Sequence, residues 1–310
     1  MADMRFDGEV AIVTGGGGPA PNLGRSFAML LAARGAKVVV NDLGVGADGR
    51  GGLYTASAEA VVDEIRKAGG EAVADTHSVA GAASAKAIVQ TALETWGRID
   101  ILVNNAGSTA PGLFEEVSDA DVERVVGAHL LGNIWTCRAA WSHMKRAKYG
   151  RIVNITSEAI FGFPYLTVYA AAKGGIFALS RNLALEGAKY NIKVNAVGPR
   201  ATTLKHLLLL EESALNSDGR RSRKPEQVAP LIGYLAHRDC AVSGKFMNAL
   251  GGHIFETIFL NTPGYTDQDP TIESVRDNFS AALDQKGALG IPDVDVSKYE
   301  RTQFKGIAPI

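Results

Sequence analysis

A chain of 310 residues, 46% apolar and 21% charged, has room for a large buried core, and its net charge of −1 gives no overall field for nucleic acid or an anionic membrane. Two cysteines, Cys137 and Cys240, exclude a disulfide framework and a cysteine-rich zinc site, and the six histidines form no H-E-x-x-H or similar pair, so no metal is expected. The first residues carry no secretory apolar stretch and no run nears the roughly 18 apolar residues of a membrane span, so a cytoplasmic protein is expected.

Residues 9–13 read as a short buried strand running into glycines, 23–34 as a helix stopped at Gly35, and 37–42 (KVVVND) as a second strand. A glycine-rich loop follows over 44–52, then a helix over 57–67, a strand over 71–75, a helix over 82–96 and a strand over 99–104. Val122, Val126, Leu130 and Ile134 recur at i+4 steps and mark one face of a long helix. Residues 151–155 read as a strand, 168–189 as a helix, 191–197 as a strand, 225–237 as a helix and 244–250 as a last strand. This alternation predicts an α/β fold, a doubly wound parallel sheet with helices on both faces. No linker interrupts it, so residues 1–254 are expected to form one domain. A small lid is inserted at about 200–224, apolar first (Leu204, Leu207 to Leu210) and then basic. Residues 255–310 form a C-terminal extension, expected to pack on the same domain or on a neighbouring subunit.

Thr14-Gly15-Gly16-Gly17-Gly18 follows the first strand, and Asn22-Leu23-Gly24-Arg25 opens the next helix. Glycines at such a turn let the backbone approach a pyrophosphate, which then meets the positive end of the helix. An isolated glycine loop is often only a flexible turn. Here Asp42 ends the following strand, where a carboxylate can accept hydrogen bonds from an adenosine ribose. Tyr169 and Lys173 lie four apart on a predicted helix and so share a face. Alone, such a pair is more often incidental surface; this one follows a strand ending in Asn154-Ile155-Thr156-Ser157.

In this order and spacing the sequence resembles the short-chain dehydrogenase/reductase family from about residue 6 to residue 252. The resemblance rests on Thr14 to Gly24, Asp42, Asn104-Asn105-Ala106-Gly107, Ser157, Tyr169-x-x-x-Lys173 and Gly198-Pro199. It implies a Rossmann fold and an oxidoreductase that interconverts a secondary alcohol and a ketone with a nicotinamide cofactor. Tyr169 would be the base, Lys173 would lower its pKa and hold the nicotinamide ribose, and Ser157 would hold the substrate oxygen. Gly15, Gly18, Asn22, Leu23 and Gly24 would cradle the pyrophosphate. Ser78, Val79, Asn105, Ala106 and Gly107 would line the adenosine side, and Pro199, Arg200, Thr202 and Thr203 would cover the carboxamide. Asp42 would repel a 2′-phosphate, and no lysine or arginine lies between Gly15 and Gly24, so NAD is the expected cofactor.

Residues 38–44, Gly97-Arg98-Ile99-Asp100 and 148–152 are similar to the branch formed by the dehydrogenase parts of peroxisomal multifunctional enzymes of type 2. That likeness implies a (3R)-hydroxyacyl-CoA substrate, with a hydroxysteroid or other bulky alcohol as the alternative. A non-catalytic NAD-sensing protein is a remote alternative, since such proteins usually lose the tyrosine or the lysine. The family's helix pair over 120–147 and 165–188 implies a homodimer or homotetramer. Several departures stand out. Pro19-Ala20-Pro21 lengthens the glycine loop, and Asn22 stands where a glycine is usual. His129 replaces a frequent asparagine, a feature of this branch, and His77 occupies a place often held by Asp. Ser157 lies 12 residues before Tyr169, one fewer than is common. Counting from the strand selects Ser157, and counting back from Tyr169 selects Thr156. The basic run Arg220-Arg221-Ser222-Arg223-Lys224 is either a solvated loop or a contact for the phosphates of coenzyme A.

Overall fold

Short β-branched runs between glycine turns build one sheet. The computed structural model describes residues 3–45, 57–209 and 223–291. Its strands are β1 (Val10–Thr14), β2 (Lys37–Asn41), β3 (Glu71–Asp75), β4 (Ile101–Asn104), β5 (Gly150–Ile155), β6 (Ile192–Arg200), β7 (Phe246–Leu250) and β8 (His253–Glu256). They lie in the order β3-β2-β1-β4-β5-β6-β7-β8. The first seven are parallel, which matches the expected doubly wound sheet. The unexpected β8 turns back antiparallel to β7, with His253 opposite Leu250, and runs two residues past the boundary read at residue 254.

The helices are α1 (Leu23–Ala33), α2 (Ala58–Lys67), α3 (Ala82–Trp96), α4 (Asp119–Val126), α5 (Gly132–Ala147), α6 (Thr167–Gly187), α7 (Leu204–Leu209), α8 (Ala229–Ala236) and α9 (Ile272–Leu283). Side chains alternate across each strand, so β1 feeds two cores. Ala11 and Val13 join Phe27, Leu31, Val61, Ile65, Leu231 and Leu235 from α1, α2 and α8. Val10 and Ile12 join Ile88, Val89, Cys137, Ala140 and Met144 from α3 and α5. With both faces covered, the central strands are buried along their whole length, as parallel strands generally are. Strand order reverses between β1 and β4, the switch point at which ligands bind beyond the carboxyl ends of such strands.

A buried polar chain braces that end. Thr136 Oγ1 donates to Asn104 Oδ1 (2.7 Å), Asn104 Nδ2 to Asn154 Oδ1 (2.9 Å) and Asn154 Nδ2 to Ser180 Oγ (3.0 Å). It links α5, β4, β5 and α6. The long helix expected around residue 126 is present as α4 and α5, which run into each other through a π-helical turn, Gly127–Leu131. The extra residue in that turn shifts the helical phase. Val125, His129, Asn133 and Thr136 face inward, and the stripe of Val122, Val126, Leu130 and Ile134 stays half-buried.

The chain divides into two compact units, Met1–Glu256 and Thr257–Ile310. In the second, β9 (Leu260–Asn261) pairs antiparallel with β10 (Leu289–Gly290), and α9 is capped by Thr271, whose Oγ1 accepts from Ser274 N.

Candidate active site

The glycine loop is held by backbone ties that only small residues allow. Gly16 N–H donates to Asn41 O (3.0 Å) and Ser57 N–H to Gly17 O (2.7 Å). A Cβ at Gly24 would lie 2.2 Å from Gly15 O, so helix α1 seats on the loop only with glycine there. Asn105 props the same turn: its Nδ2 donates to Thr14 O (3.0 Å) and Gly15 O (3.1 Å). Thr14 Oγ1 in turn accepts from Asn105 N and Ala106 N, both at 3.0 Å. The Asn105 amide therefore braces the loop.

Asn22 does the work of a helix cap, its Oδ1 accepting from Arg25 N (2.9 Å). The added Pro19-Ala20-Pro21 segment reaches the lid, where Pro21 O accepts from Leu204 N at 2.7 Å. Asp42 lies just past β2, and its two oxygens accept from Gly17 N (2.9 Å) and Gly44 N (3.0 Å). Burial pushes its carboxyl above the ordinary value, and these two hydrogen bonds only partly offset that. Beyond β3, Ser78 Oγ accepts from Ala80 N (3.2 Å), and Val79 is buried against α5 at Gly132.

β5 delivers the next group. Thr156 is buried and spends its hydroxyl on Lys173 O at 2.7 Å. Ser157 turns out of the strand, accepts from Ala159 N at 3.1 Å and hydrogen-bonds Tyr169. One turn further along α6, Lys173 Nζ lies 5.5 Å from the centre of the Tyr169 ring and donates to Ile155 O. Lys173 is 3% exposed, and burial pulls its pKa down to about 7. Burial pushes the Tyr169 phenol above its ordinary value, and the Ser157 hydrogen bond counters this only in part. Lys173 is itself desolvated and bonds to a backbone carbonyl.

His129 stands edge-on to Tyr169, with ring centres 5.2 Å apart and planes at 87°. Its Nε2 lies 2.6 Å from Ser108 O. Gly107 makes room for it, since a Cβ there would fall 1.9 Å from His129 Cε1. His129 was no site candidate on sequence grounds, although it stood out as a departure at a position where an asparagine is frequent. At the lid, Arg200 lies 3.6 Å from Glu158, Thr202 N–H donates to Arg223 O (2.7 Å), and Thr203 Oγ1 meets His206 Nδ1 (2.9 Å). Pro199 sits in β6 opposite Ala249. Leu210, Arg220 and Arg221, and the end of the 44–52 loop, lie outside the described residues.

The short chain dehydrogenase family profile matches residues 9–207. The chain belongs to the short-chain dehydrogenase family. Membership makes it an oxidoreductase, in a family that works with nicotinamide cofactors. Mouse peroxisomal multifunctional enzyme type 2 is 41% identical over 291 residues, 92% of this chain but 38% of that protein. The chain therefore spans about two fifths of the length of that relative. A short-chain dehydrogenase from Mycobacterium avium superposes with a TM-score of 0.76 at 35% identity, covering 93% of this chain and 97% of the other. A 7α-hydroxysteroid dehydrogenase complexed with NADH and 7-oxo glycochenodeoxycholic acid superposes with a TM-score of 0.70 at 28% identity, covering 80% and 95%. The short-chain dehydrogenase loop, with its glycine seat at Gly24 and the carboxylate of Asp42 at the next strand, fits a dinucleotide: a Cβ would fill the cradle.

Proposed function

We propose that the chain is an NAD-dependent dehydrogenase that interconverts a 3-hydroxyacyl-CoA ester and its 3-oxo counterpart. The hydrogen-bonded Ser157–Tyr169 pair, with Lys173 one helical turn away, carries this reading. In oxidation the substrate hydroxyl gives its proton to Tyr169 while the carbinol carbon loses a hydride. A bound oxidised nicotinamide supplies the hydride acceptor and a positive charge that favours the phenolate. Ser157 holds the substrate oxygen and steadies its developing charge. Read in reverse, the phenol is already a proton donor for ketone reduction, because the protein's own field holds its pKa up. Gly15, Gly18, Asn22, Leu23 and Gly24 would hold the pyrophosphate, and Asp42 the ribose. Asp42 supports NAD over NADP, because a 2′-phosphate would meet a carboxylate. Replacing Tyr169 by Phe should cut kcat by about 10²–10⁴-fold with NADH affinity nearly unchanged. Retention of more than about a tenth of kcat would exclude Tyr169 as the base.

The acyl-CoA substrate rests on the likeness to the multifunctional-enzyme branch, and the basic run ahead of Pro225 suits its phosphates. A hydroxysteroid is the second reading. It is favoured by the steroid-bound neighbour and by an apolar rim in which Phe161, Phe163 and Tyr165 are more than half exposed. Assays with NAD and NADP on a 3-hydroxyacyl-CoA ester and a neutral hydroxysteroid separate the two. Neutralising Arg220, Arg221 and Arg223 should raise KM for the CoA ester only. Turnover of the steroid without the ester selects the second reading. No helix among the described residues is long and apolar enough to cross a membrane. A cytoplasmic homodimer or homotetramer completes the proposal, with the half-buried stripe of Val122, Val126, Leu130 and Ile134 suited to a partner helix.

A further inference from the structure

β5 and β6 run parallel with Ile155 beside Val197, and Thr156 N–H donates to Val197 O at 2.8 Å. Ser157 follows that register on one strand, and Pro199 and Arg200 close the other. Side chains alternate along β6. Val197 points into the core shared by α1, α2 and α8, whereas Ile192 and Val194 point into the core shared by α3 and α5. Arg200 therefore falls on the second face. α6, the helix of Tyr169 and Lys173, covers this face as well. Its Phe177 packs on Phe246 of β7 with ring centres 5.5 Å apart, and a Cβ at Gly198 would meet that Phe246 ring at 3.1 Å.

There Arg200 meets Glu158, the residue directly after Ser157. Arg200 Nη1 lies 3.6 Å from Glu158 Oε2, an ion pair longer than a hydrogen bond, and the two side chains are 42% and 31% exposed. An ion pair so open to water adds little to stability. Among the described residues the guanidinium donates no hydrogen bond, so its fork of N–H groups is open to a ligand. The neighbouring carboxylate decides which ligand suits that fork. An anion approaching Arg200 meets Glu158 too, and the repulsion cancels much of the attraction. A carbonyl oxygen accepts from the guanidinium and brings no net charge.

We infer that Arg200, its charge compensated by Glu158, donates to the thioester carbonyl oxygen of the substrate. This rests on the 3-hydroxyacyl dehydrogenase reading, and it moves Arg200 from the nicotinamide carboxamide to the substrate. A single carbon separates the carbinol and carbonyl carbons of a 3-hydroxyacyl group. With Ser157 holding the hydroxyl oxygen, a donor paired with the next residue suits the carbonyl. Arg200 and Glu158 together then select 3-hydroxyacyl thioesters over alcohols that lack the carbonyl and over free 3-hydroxy acids.

The test is steady-state oxidation, with NAD, of a 3-hydroxyacyl N-acetylcysteamine thioester, the matching free acid and a 2-alkanol of equal chain length. The thioester carries no phosphate, so the basic run ahead of Pro225 has nothing to bind in it. Arg200→Met should lower kcat/KM for the thioester about ten- to a hundredfold more than for the alkanol, the scale of one hydrogen bond from a charged donor. Arg200→Lys, which keeps a donor, should recover part of that loss. Glu158→Gln should move the acid-to-thioester ratio of kcat/KM severalfold toward the acid. An equal loss for thioester and alkanol in Arg200→Met, together with weaker NADH binding, returns Arg200 to the cofactor and overturns the inference. An acid-to-thioester ratio unmoved by Glu158→Gln overturns the compensating role of the carboxylate. A native protein that oxidises the alkanol as well as the thioester overturns the inference and leaves the dehydrogenase reading standing. If it oxidises a hydroxysteroid but neither this thioester nor the CoA ester, the 3-hydroxyacyl reading itself fails and the inference falls with it.

Discussion

Lys173 is a lysine held almost wholly out of water, and that has consequences for stability as well as chemistry. Its pKa falls to about 7 in the folded chain against 10.5 ordinarily, because burial disfavours the ammonium. Between these values the unfolded chain binds more protons, so stability rises with pH across that window, and below it the native state bears the full cost of a buried charge. Lys173→Met should therefore raise Tm while abolishing turnover, by more at about pH 6 than at about pH 10. A Tm difference that stays constant with pH would contradict the burial of a titrating amine. The two hydroxyls ahead of Tyr169 divide differently. Thr156 is buried and committed to Lys173 O, whereas Ser157 is partly exposed and bonded to Tyr169. Ser157→Ala should cost kcat on the order of 10²-fold, and Thr156→Ala should cost about 1 kcal/mol of stability with a mild kinetic effect. The reverse ranking of kcat would give the role to Thr156. Counting back from Tyr169 gave Thr156, but counting from the strand favoured Ser157, because the strand fixes geometry while the loop after it can shorten. The orientation of each hydroxyl depends on tertiary partners that no spacing records.

At the level of elements, the strands and helices were legible because β-branched runs and glycine stops coincide with their ends in β1, β2 and α1. The π-helical turn at Gly127–Leu131 was not. An i+4 apolar stripe looks the same whether or not one extra residue enters the helix, and the inward face here is small or polar at Gly127, His129 and Asn133. β8 was hidden for a related reason. As an antiparallel edge strand it is largely exposed, and it lacks the continuous apolar run of the buried strands. The added Pro19-Ala20-Pro21 segment was visible, but its purpose was not: it meets the start of α7 through Pro21 O and Leu204 N. Proline is tolerated at the first position of a helix, so Leu204→Pro removes this tie while sparing the helix. With Leu204→Ala as the side-chain control, the proline variant should raise substrate KM about three- to tenfold and leave NADH affinity unchanged. A loss in the alanine control as large as in the proline variant would locate the effect in the side chain instead.

Among the described residues, both apolar cores and all the candidate site residues belong to Met1–Glu256. Both apolar cores lie between Phe6 and Ala249, and the sheet closes at β8. The glycine loop follows β1 and Ser157 follows β5, while Tyr169 and Lys173 stand on α6, which packs against β5 and β6 of that sheet. In the second unit, by contrast, α9 has no buried residue, and Ile272, Phe279 and Leu283 are 87%, 54% and 63% exposed. The first unit should therefore fold without the second. A chain ending at Glu256 is expected to melt in one cooperative transition and to bind NADH within about threefold of the whole chain, a difference below ~1 kcal/mol. Dinucleotide linkage supplies an independent check. At a concentration of about 100 times Kd, NADH should stabilise both forms by about 2.7 kcal/mol, so their Tm values should rise in parallel. A shortened chain that melts without cooperativity, or that gains nothing from NADH, would show that residues 257–310 complete the core or the cofactor site. Parallel melting shifts with altered turnover would instead restrict that segment to substrate selection or assembly.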